Sequence, residues 1–359
     1  MKKIVLTGGG TAGHVTPNIA LIPTLKESGY EIEYIGSYEG IERQLIEDIG
    51  IPYHGVATGK FRRYFDLRNV SDIFNVLKGL KESKKILKEI APDVIFSKGG
   101  FVAVPVVRAA AKLGIPCVIH ESDMTPGLAN KLCIPVATKI CCNFPETLEH
   151  MPSDRAYLTG SPIRSELTQG DRDRGLEFTG FDGKKPILMV IGGSQGAQSI
   201  NETLRESLPK LQSVFDVVHL CGKDKVDNMM LDVDGYKQYE YIKDELKDIF
   251  AIADIVISRA GANAICEILE LKKPNVLIPL SVGSRGDQVL NAESFEASGF
   301  SEVIKEEALD PSMLTETVMK VYNDRDKYIS NMDKRMELKP IDRIMELIDE
   351  AANKRGGKN

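Results

Sequence analysis

Short apolar runs of four or five residues recur along the chain, each followed by a longer stretch whose apolar positions return every three or four residues. The runs, bounded by glycine, proline and polar residues, predict strands; the longer stretches predict amphipathic helices laid over them. In the first half the predicted strands are Ile4 to Thr7, Ile32 to Ile35, Tyr53 to Ala57, Val94 to Ser97, Cys117 to Glu121 and Lys139 to Asn143. In the second half they are Ile187 to Ile191, Val217 to Cys221, Tyr239 to Ile242, Ile255 to Ser258, Asn275 to Pro279 and Glu302 to Ile304. Ile200, Leu204, Leu208 and Leu211 carry the helical spacing most clearly, and Pro340 to Ala352 reads as a last helix before a KRGGKN tail. Strand and helix in alternation imply parallel, doubly wound α/β sheets that bind ligands at the carboxyl ends of their strands. The polar, aperiodic segment Gly160 to Gly175 separates the halves and is read as the linker. The expected organisation is a first domain over 1–162, a second over 163–339, and a terminal helix and tail over 340–359.

Two glycine-rich loops punctuate this pattern, GGGTAGH at Gly8 to His14 and GGSQGAQ at Gly192 to Gln198. Each follows a strand and opens a helix. Glycines allow a tight turn at the strand end, and the free N–H groups of the next helix suit an anion. Two such units predict two facing αβ domains with a phosphate-bearing ligand between them.

Composition narrows the class. The chain has 359 residues, 42% hydrophobic and 27% charged, enough for two soluble domains with separate cores. Cys117, Cys133, Cys141, Cys142, Cys221 and Cys266 lie mostly in apolar runs without zinc spacing, and read as reduced core residues of a cytoplasmic protein. The apolar run in MKKIVLTGGG is too short for a signal peptide or a membrane span. A net charge of -6 argues against nucleic-acid binding.

Gly8, Gly10 and Gly13 satisfy GxGxxG, the dinucleotide fingerprint. That reading needs an acidic residue at the end of the second strand to hold a ribose, and the strand ends Ile35-Gly36-Ser37 instead. Neither loop ends in Gly-Lys-Ser/Thr, so a Walker-type loop fails as well.

Seven separated motifs are more specific. They are GGGTAGHVTPNIA from Gly8, SKGGFVAVP from Ser97, HESDMTPGLANK from His120, GSPIR from Gly160, GGSQGAQSIN from Gly192, SRAGANAICE from Ser258 and DQVLNA from Asp287. In this order they closely resemble the MurG family of bacterial N-acetylglucosaminyltransferases, which make the lipid-linked disaccharide of peptidoglycan at the cytoplasmic face of the membrane. The resemblance implies a GT-B fold: two Rossmann-like domains facing a central cleft, with a C-terminal helix returning to the first. It implies UDP-N-acetylglucosamine as donor, undecaprenyl-linked muramyl pentapeptide as acceptor, and no cofactor. On this resemblance Glu267 accepts from the ribose hydroxyls, Ser194 and its loop hold the diphosphate with Arg164 near it, and Ile242 reads uracil through its backbone. Ala262 lies under the diphosphate and ribose, Gln288 bonds sugar hydroxyls, and Thr11, Ala12 and Gly13 close over donor and acceptor.

Inverting displacement at the anomeric carbon needs a base beside the acceptor hydroxyl. His14, at the mouth of the first glycine loop, and Glu121, at a strand end, are the candidates. No metal is expected: Asp171-Arg172-Asp173 and Asp232-Val233-Asp234 resemble cation-holding Asp-x-Asp motifs, but neither follows an apolar strand.

Residues 60–88 hold nine Lys or Arg and three Asp or Glu, a local charge of +6 (nine minus three), with Phe61, Tyr64 and Phe65 near the start. Ile73, Leu77, Leu80 and Leu87 fall near helical spacing. A basic amphipathic element with aromatics suits an anionic membrane surface, and the family's membrane-facing patch maps here. The expectation is that the apolar stripe serves the core while Phe61 to Arg68 face lipid.

Three departures from the family pattern concentrate on the acceptor side. Asp123 stands where an asparagine is usual, Phe101 where a tyrosine is, and Ala12 where a glycine is; Asp287 also replaces His or Gln. Asp123 is therefore a candidate acceptor contact of altered charge, and a transferase acting on another membrane lipid remains an alternative. So do a UDP-N-acetylglucosamine 2-epimerase, sharing the two-domain architecture, and a catalytically silent nucleotide-binding regulator.

Overall fold

The computed structural model describes residues 1–59, 68–193, 196–281, 286–335 and 339–356. The chain divides into two compact units, Met1–Arg164 with Leu338–Asn359, and Ser165–Glu337. Arg164 thus closes the first unit.

The first unit carries seven strands: β1 (Lys2–Thr7), β2 (Tyr30–Ser37), β3 (Tyr53–Val56), β4 (Val94–Ser97), β5 (Cys117–Glu121), β6 (Lys139–Cys142) and β7 (Ala156–Leu158). Their order is β3-β2-β1-β4-β5-β6-β7, and every pairing is parallel. Such a sheet is covered on both faces, which is why its strands read as continuous apolar runs. Alternation along β1 sends Ile4 and Leu6 to one core and Val5 to the other. The first core includes Leu21 and Leu25 of the helix Thr16–Glu27 and Ile344, Leu347 and Ile348 of the helix Pro340–Gly356. The second is closed by Leu87 and Ile90 of the helix Arg68–Ile90 and Val106 and Val107 of the helix Ala103–Lys112. The C-terminal helix does return to the first sheet. Burial of each Ile- or Leu-sized side chain there stabilises it by roughly 1.5–3 kcal/mol. Asp349 also accepts from Tyr30 Oη at 2.6 Å and Lys2 Nζ at 3.1 Å, and Glu350 pairs with Lys139.

The second unit carries β8 (Ile187–Ile191), β9 (Asp216–Leu220), β10 (Tyr236–Tyr239), β11 (Ile255–Ser258), β12 (Asn275–Leu277) and β13 (Glu302–Val303), in the order β10-β9-β8-β11-β12-β13. These pairings are parallel too. Ile200, Leu204, Leu208 and Leu211 are all buried on the helix Gln198–Leu211, as their spacing predicts.

Three readings of the sequence need correction. The strand placed at Tyr239 to Ile242 lies at Tyr236–Tyr239: at this sheet edge Tyr236 turns inward to meet His219, and Ile242 is buried beyond the strand. The edge strand Ala156–Leu158 went unseen because it is three residues long and only half-buried. Part of the supposed linker is a helix, Arg172–Thr179, where Asp171 accepts from Arg174 N at 3.1 Å as an N-cap.

Candidate active site

Both sheets reverse their winding at one point, between β1 and β4 in the first unit and between β8 and β11 in the second. Open α/β sheets bind ligands outside the carboxyl ends of the strands at such a point. The first glycine loop leaves β1 and the Lys98–Phe101 loop leaves β4; the second glycine loop leaves β8 and Arg259–Gly261 leaves β11. Four of the seven motifs therefore stand at the two switch points.

In the first unit Gly100 has φ +80°, and a Cβ there would collide with the Gly9 carbonyl, so the two loops touch backbone to backbone. Thr11, Ala12 and Gly13 are exposed, and His14 is half-buried. Thr11 Oγ1 lies 2.9 Å from His14 Nδ1. The turn is held by His14 N–H to Thr11 O at 3.1 Å and Val15 N–H to Ala12 O at 2.9 Å. Beneath it Asn18, fully buried, donates to Thr7 O at 3.2 Å and Tyr34 Oη at 3.1 Å, and Tyr34 donates to Gly8 O at 2.8 Å.

Two buried carboxylates organise these loops. Glu42 has no exposed surface and accepts from Gly10 N–H and Ser37 N–H, each at 3.1 Å, and from Ser37 Oγ at 2.5 Å. It occupies the space past the end of β2, supplied by the helix Ile41–Glu47 rather than by the strand itself. Glu121 Oε1 accepts from the N–H groups of Ser122 at 2.9 Å and Asp123 at 3.1 Å; Oε2 accepts from Gly127 N–H at 3.0 Å and Asn130 Nδ2 at 2.8 Å. Burial raises its pKa above the usual carboxylate value against these opposing bonds. Both oxygens of this candidate base are thus engaged in shaping the turn 122–127, on which Asp123 sits half-buried.

His120, fully buried, has an assignable tautomer. Gly160 O can only accept, so Nε2 donates to it at 2.9 Å; Lys98 can only donate, so Nδ1 accepts from Nζ at 2.7 Å. Burial first, and then the Lys98 charge, push its pKa well below 6.5. Half-buried Arg164 follows the Gly160–Ser161 segment and ends the unit.

In the second unit Ser194 lies outside the described residues. Gly196, at φ +67°, packs so closely on Cys221 O that a Cβ would collide. Asn201 Nδ2 donates to the same Cys221 O at 2.8 Å, and its Oδ1 lies 2.9 Å from His219 Nε2. Burial, and secondarily Arg205, lower the His219 pKa to about 3. Ala262 and Glu267 lie on the helix Ala262–Glu270, which starts at Gly261 without a side-chain cap; both residues are half-buried. Gln288, on the helix Asp287–Ala297, accepts from Leu280 N–H at 3.0 Å through Oε1, so its NH2 group is the end able to donate to a ligand. Ile242 is buried after β10.

Sequence reasoning missed Glu42 and Arg259; Lys98, read from the sequence as a possible cation beside Asp123, donates to His120, Ser122 and Ser161. Arg259 donates to Glu306 at 2.5 Å, Ser199 Oγ at 3.2 Å and Ile278 O at 3.1 Å. Burial opposes ionisation of Glu306, but Arg259 prevails and holds its pKa below the usual carboxylate value. The SRAGAN motif contains Arg259, but nothing local in the sequence gives its partners, which come from other parts of the chain.

On the helix Arg68–Ile90 the apolar stripe splits. Leu87 and Ile90 are buried, whereas Phe74 and Leu77 are 67% and 58% exposed. Leu77 therefore does not serve the core as its spacing predicts. Phe61, Tyr64 and Phe65 lie outside the described residues, as does the side chain of Ile73.

The glycosyltransferase family 28 N-terminal domain matches residues 4–142 and the family 28 C-terminal domain matches residues 187–348. The chain is 62% identical over 351 residues to the UDP-N-acetylglucosamine–N-acetylmuramyl-(pentapeptide) pyrophosphoryl-undecaprenol N-acetylglucosamine transferase of Lachnoclostridium phytofermentans, covering 98% of this chain and 99% of that protein. It is 53% identical over 353 residues to the transferase of the same name from Geobacillus thermodenitrificans, again covering 98% and 99%. The crystal structure of Acinetobacter baumannii MurG superposes with a TM-score of 0.77 at 26% identity, covering 98% of this chain and all of that one. The calicheamicin glycosyltransferase CalG4 shares the fold, with a TM-score of 0.71 at 15% identity and 98% coverage of both chains. With two parallel-sheet Rossmann-like units, both family domains and full-length relatives, the chain belongs to glycosyltransferase family 28.

Proposed function

We propose that this protein transfers N-acetylglucosamine from UDP-N-acetylglucosamine to the muramyl-pentapeptide pyrophosphoryl-undecaprenol lipid, with inversion at the anomeric carbon. The observation that carries this reading is the 62% identity over 98% of the chain to a transferase of that name. The acceptor hydroxyl oxygen forms its bond to the anomeric carbon as the bond from that carbon to the UDP oxygen breaks. UDP leaves with the electron pair, and the hydroxyl proton goes to the enzyme.

His14 suits the proton better than Glu121. If Nδ1–H donates to Thr11, the basic site of the ring is Nε2, whereas Glu121 already accepts four hydrogen bonds from its own turn. Thr11, Ala12, Gly13 and Asp123 then line the acceptor side. The donor belongs to the second unit. Glu267 accepts from the ribose hydroxyls, Ile242 offers backbone to uracil, Gln288 donates to the sugar, and Ser194 with the start of the helix Ala262–Glu270 holds the diphosphate. A helix N-terminus stabilises the charge that grows on departing UDP.

Attachment to an anionic membrane surface on the cytoplasmic side belongs to the same reading. No helix among the described residues is long and apolar enough to cross a membrane, while exposed Phe74 and Leu77 stand in the +6 segment. The test is direct. Protein incubated with UDP-N-acetylglucosamine labelled in the sugar and with membrane extract containing the acceptor lipid should move label into the lipid and release UDP. Release of UDP or of free sugar without labelled lipid would overturn the proposal.

A further inference from the structure

Lys98 is 1% exposed, an unusual burial for a lysine. It follows β4 directly, with its own N–H on Thr7 O at 3.0 Å, so its backbone is tied to the end of β1. Its Nζ donates to His120 Nδ1 and Ser122 Oγ, both at 2.7 Å, and to Ser161 Oγ at 3.1 Å. One side chain thereby joins the end of β4, the turn after β5 and the segment that follows β7.

Each of these three partners is neutral, since burial and the lysine charge keep His120 deprotonated. Burying an ammonium is costly, and an apolar side chain of similar length serves stability as well or better in many proteins. What the lysine adds is geometry. Glu121 holds the backbone N–H groups of Ser122, Asp123 and Gly127 in the turn 122–127, and Lys98 holds its first side chain, Ser122. Ser122 O accepts in addition from Asn143 Nδ2 at 3.1 Å. Asp123, the acceptor-side candidate, comes next in the turn.

We propose that Lys98 is a positioning residue for the acceptor: by bracing Ser122 against His120 and Ser161, it holds the turn carrying Asp123 in the shape that receives the acceptor sugar. This rests on the transferase reading above. Lys98 acts through Ser122 and need not touch substrate.

The experiment measures kcat and acceptor KM with a short-chain muramyl-pentapeptide lipid, UDP-N-acetylglucosamine affinity by calorimetry, and the thermal midpoint. The proteins compared are wild type, Lys98→Met, Lys98→Arg, Ser122→Ala and the Lys98→Met/Ser122→Ala double variant. Lys98→Met should raise acceptor KM tenfold or more while donor affinity stays within twofold, and Lys98→Arg should recover part of the loss. Ser122→Ala should raise acceptor KM about threefold alone and add little in the Lys98→Met background. An unchanged acceptor KM in Lys98→Met, whatever happens to its thermal midpoint, would overturn the positioning role, as would an equal loss of donor affinity. If Lys98→Met does not fold, Ser122→Ala decides: an unchanged acceptor KM refutes the brace. Wild-type protein that transfers no sugar would instead overturn the transferase reading, and this one with it.

Discussion

Around the first glycine loop, Gly10 N–H and Ser37 N–H already go to the buried Glu42 carboxylate, and the N–H groups of Ser122, Asp123 and Gly127 go to Glu121. In the second unit the helices Gln198–Leu211 and Ala262–Glu270 begin at Ala197 and Gly261 with no side-chain cap. Two loops with the same strand-turn-helix grammar thus differ in one physical respect. The first is wrapped round a negative charge of the protein itself, so a diphosphate placed there meets a like charge in a poorly screened setting. In the second, the carboxylate that meets the first turn of the helix Gln198–Leu211, Glu306 on Ser199 Oγ, is paired with Arg259, and a helix N-terminus beside a neutralised charge suits an external anion. Under the proposed function, the difference suits the sugar nucleotide on the second unit, with an uncharged part of the acceptor and proton transfer on the first.

The sharpest way to break this division is His14→Ala. It should lower turnover about a hundredfold or more, as loss of a general base does, while UDP-N-acetylglucosamine affinity stays within a few-fold. Glu121→Gln in parallel should cost less in turnover and more in thermal midpoint, because a carboxamide can still accept from part of the turn. Steady-state kinetics and donor titrations read both, and the reverse order of the two turnover losses would hand the proton back to Glu121.

Next in size is the donor side. Glu267→Ala and Gln288→Ala should each weaken donor binding about tenfold or more, since an unpaired partner costs on the order of 1–3 kcal/mol. Gln288→Glu sharpens the point: it keeps an acceptor for Leu280 N–H but removes the donating NH2, so it should weaken binding nearly as much as the alanine. Wild-type affinity in Gln288→Glu would show that the amide nitrogen meets no sugar hydroxyl.

The smallest effect is shared by the two units, each of which buries a neutral histidine. His120 and His219 have folded pKa values below the unfolded value of about 6.5, and for His219 the folded value is about 3. Their full contribution is present above that unfolded value. As pH falls below it, the unfolded chain binds protons that the folded chain refuses, so stability declines by up to about 1.4 kcal/mol per pH unit for each histidine. Urea midpoints should accordingly fall between pH 7 and pH 5. His219→Gln should reduce the slope, and an unchanged slope would mean that the folded ring binds its proton as readily as the unfolded one.

Much of the fold and part of the site were legible in the sequence. Four of the seven motifs mark the two switch points, and Glu267, Gln288 and His14 stand in segments that the motifs define. The carboxylate absent from the end of the second strand, by contrast, is supplied by Glu42, whose buried position no local pattern reveals. The partners of Glu121, the N–H groups of a turn that folds back on it, are likewise invisible in one dimension. Tyr236–Tyr239 and Ala156–Leu158 were misplaced or missed for a related reason: edge strands are short and half-buried, so their periodicity is weak.

The sequence by itself determined the alternation of strands and helices, the parallel sheets and the glycine turns, because these follow from hydrophobic period and backbone stereochemistry over a few residues. The tertiary structure decided which polar groups are occupied. Lys98 with His120, Ser122 and Ser161, Arg259 with Glu306, and Asp349 with Tyr30 join residues 22 to 319 positions apart. Hydrogen bonds of that range depend on where the folded sheets bring the chain together, so which of several plausible acids and bases is committed to structure, and which is left for chemistry, is fixed only when the chain has folded.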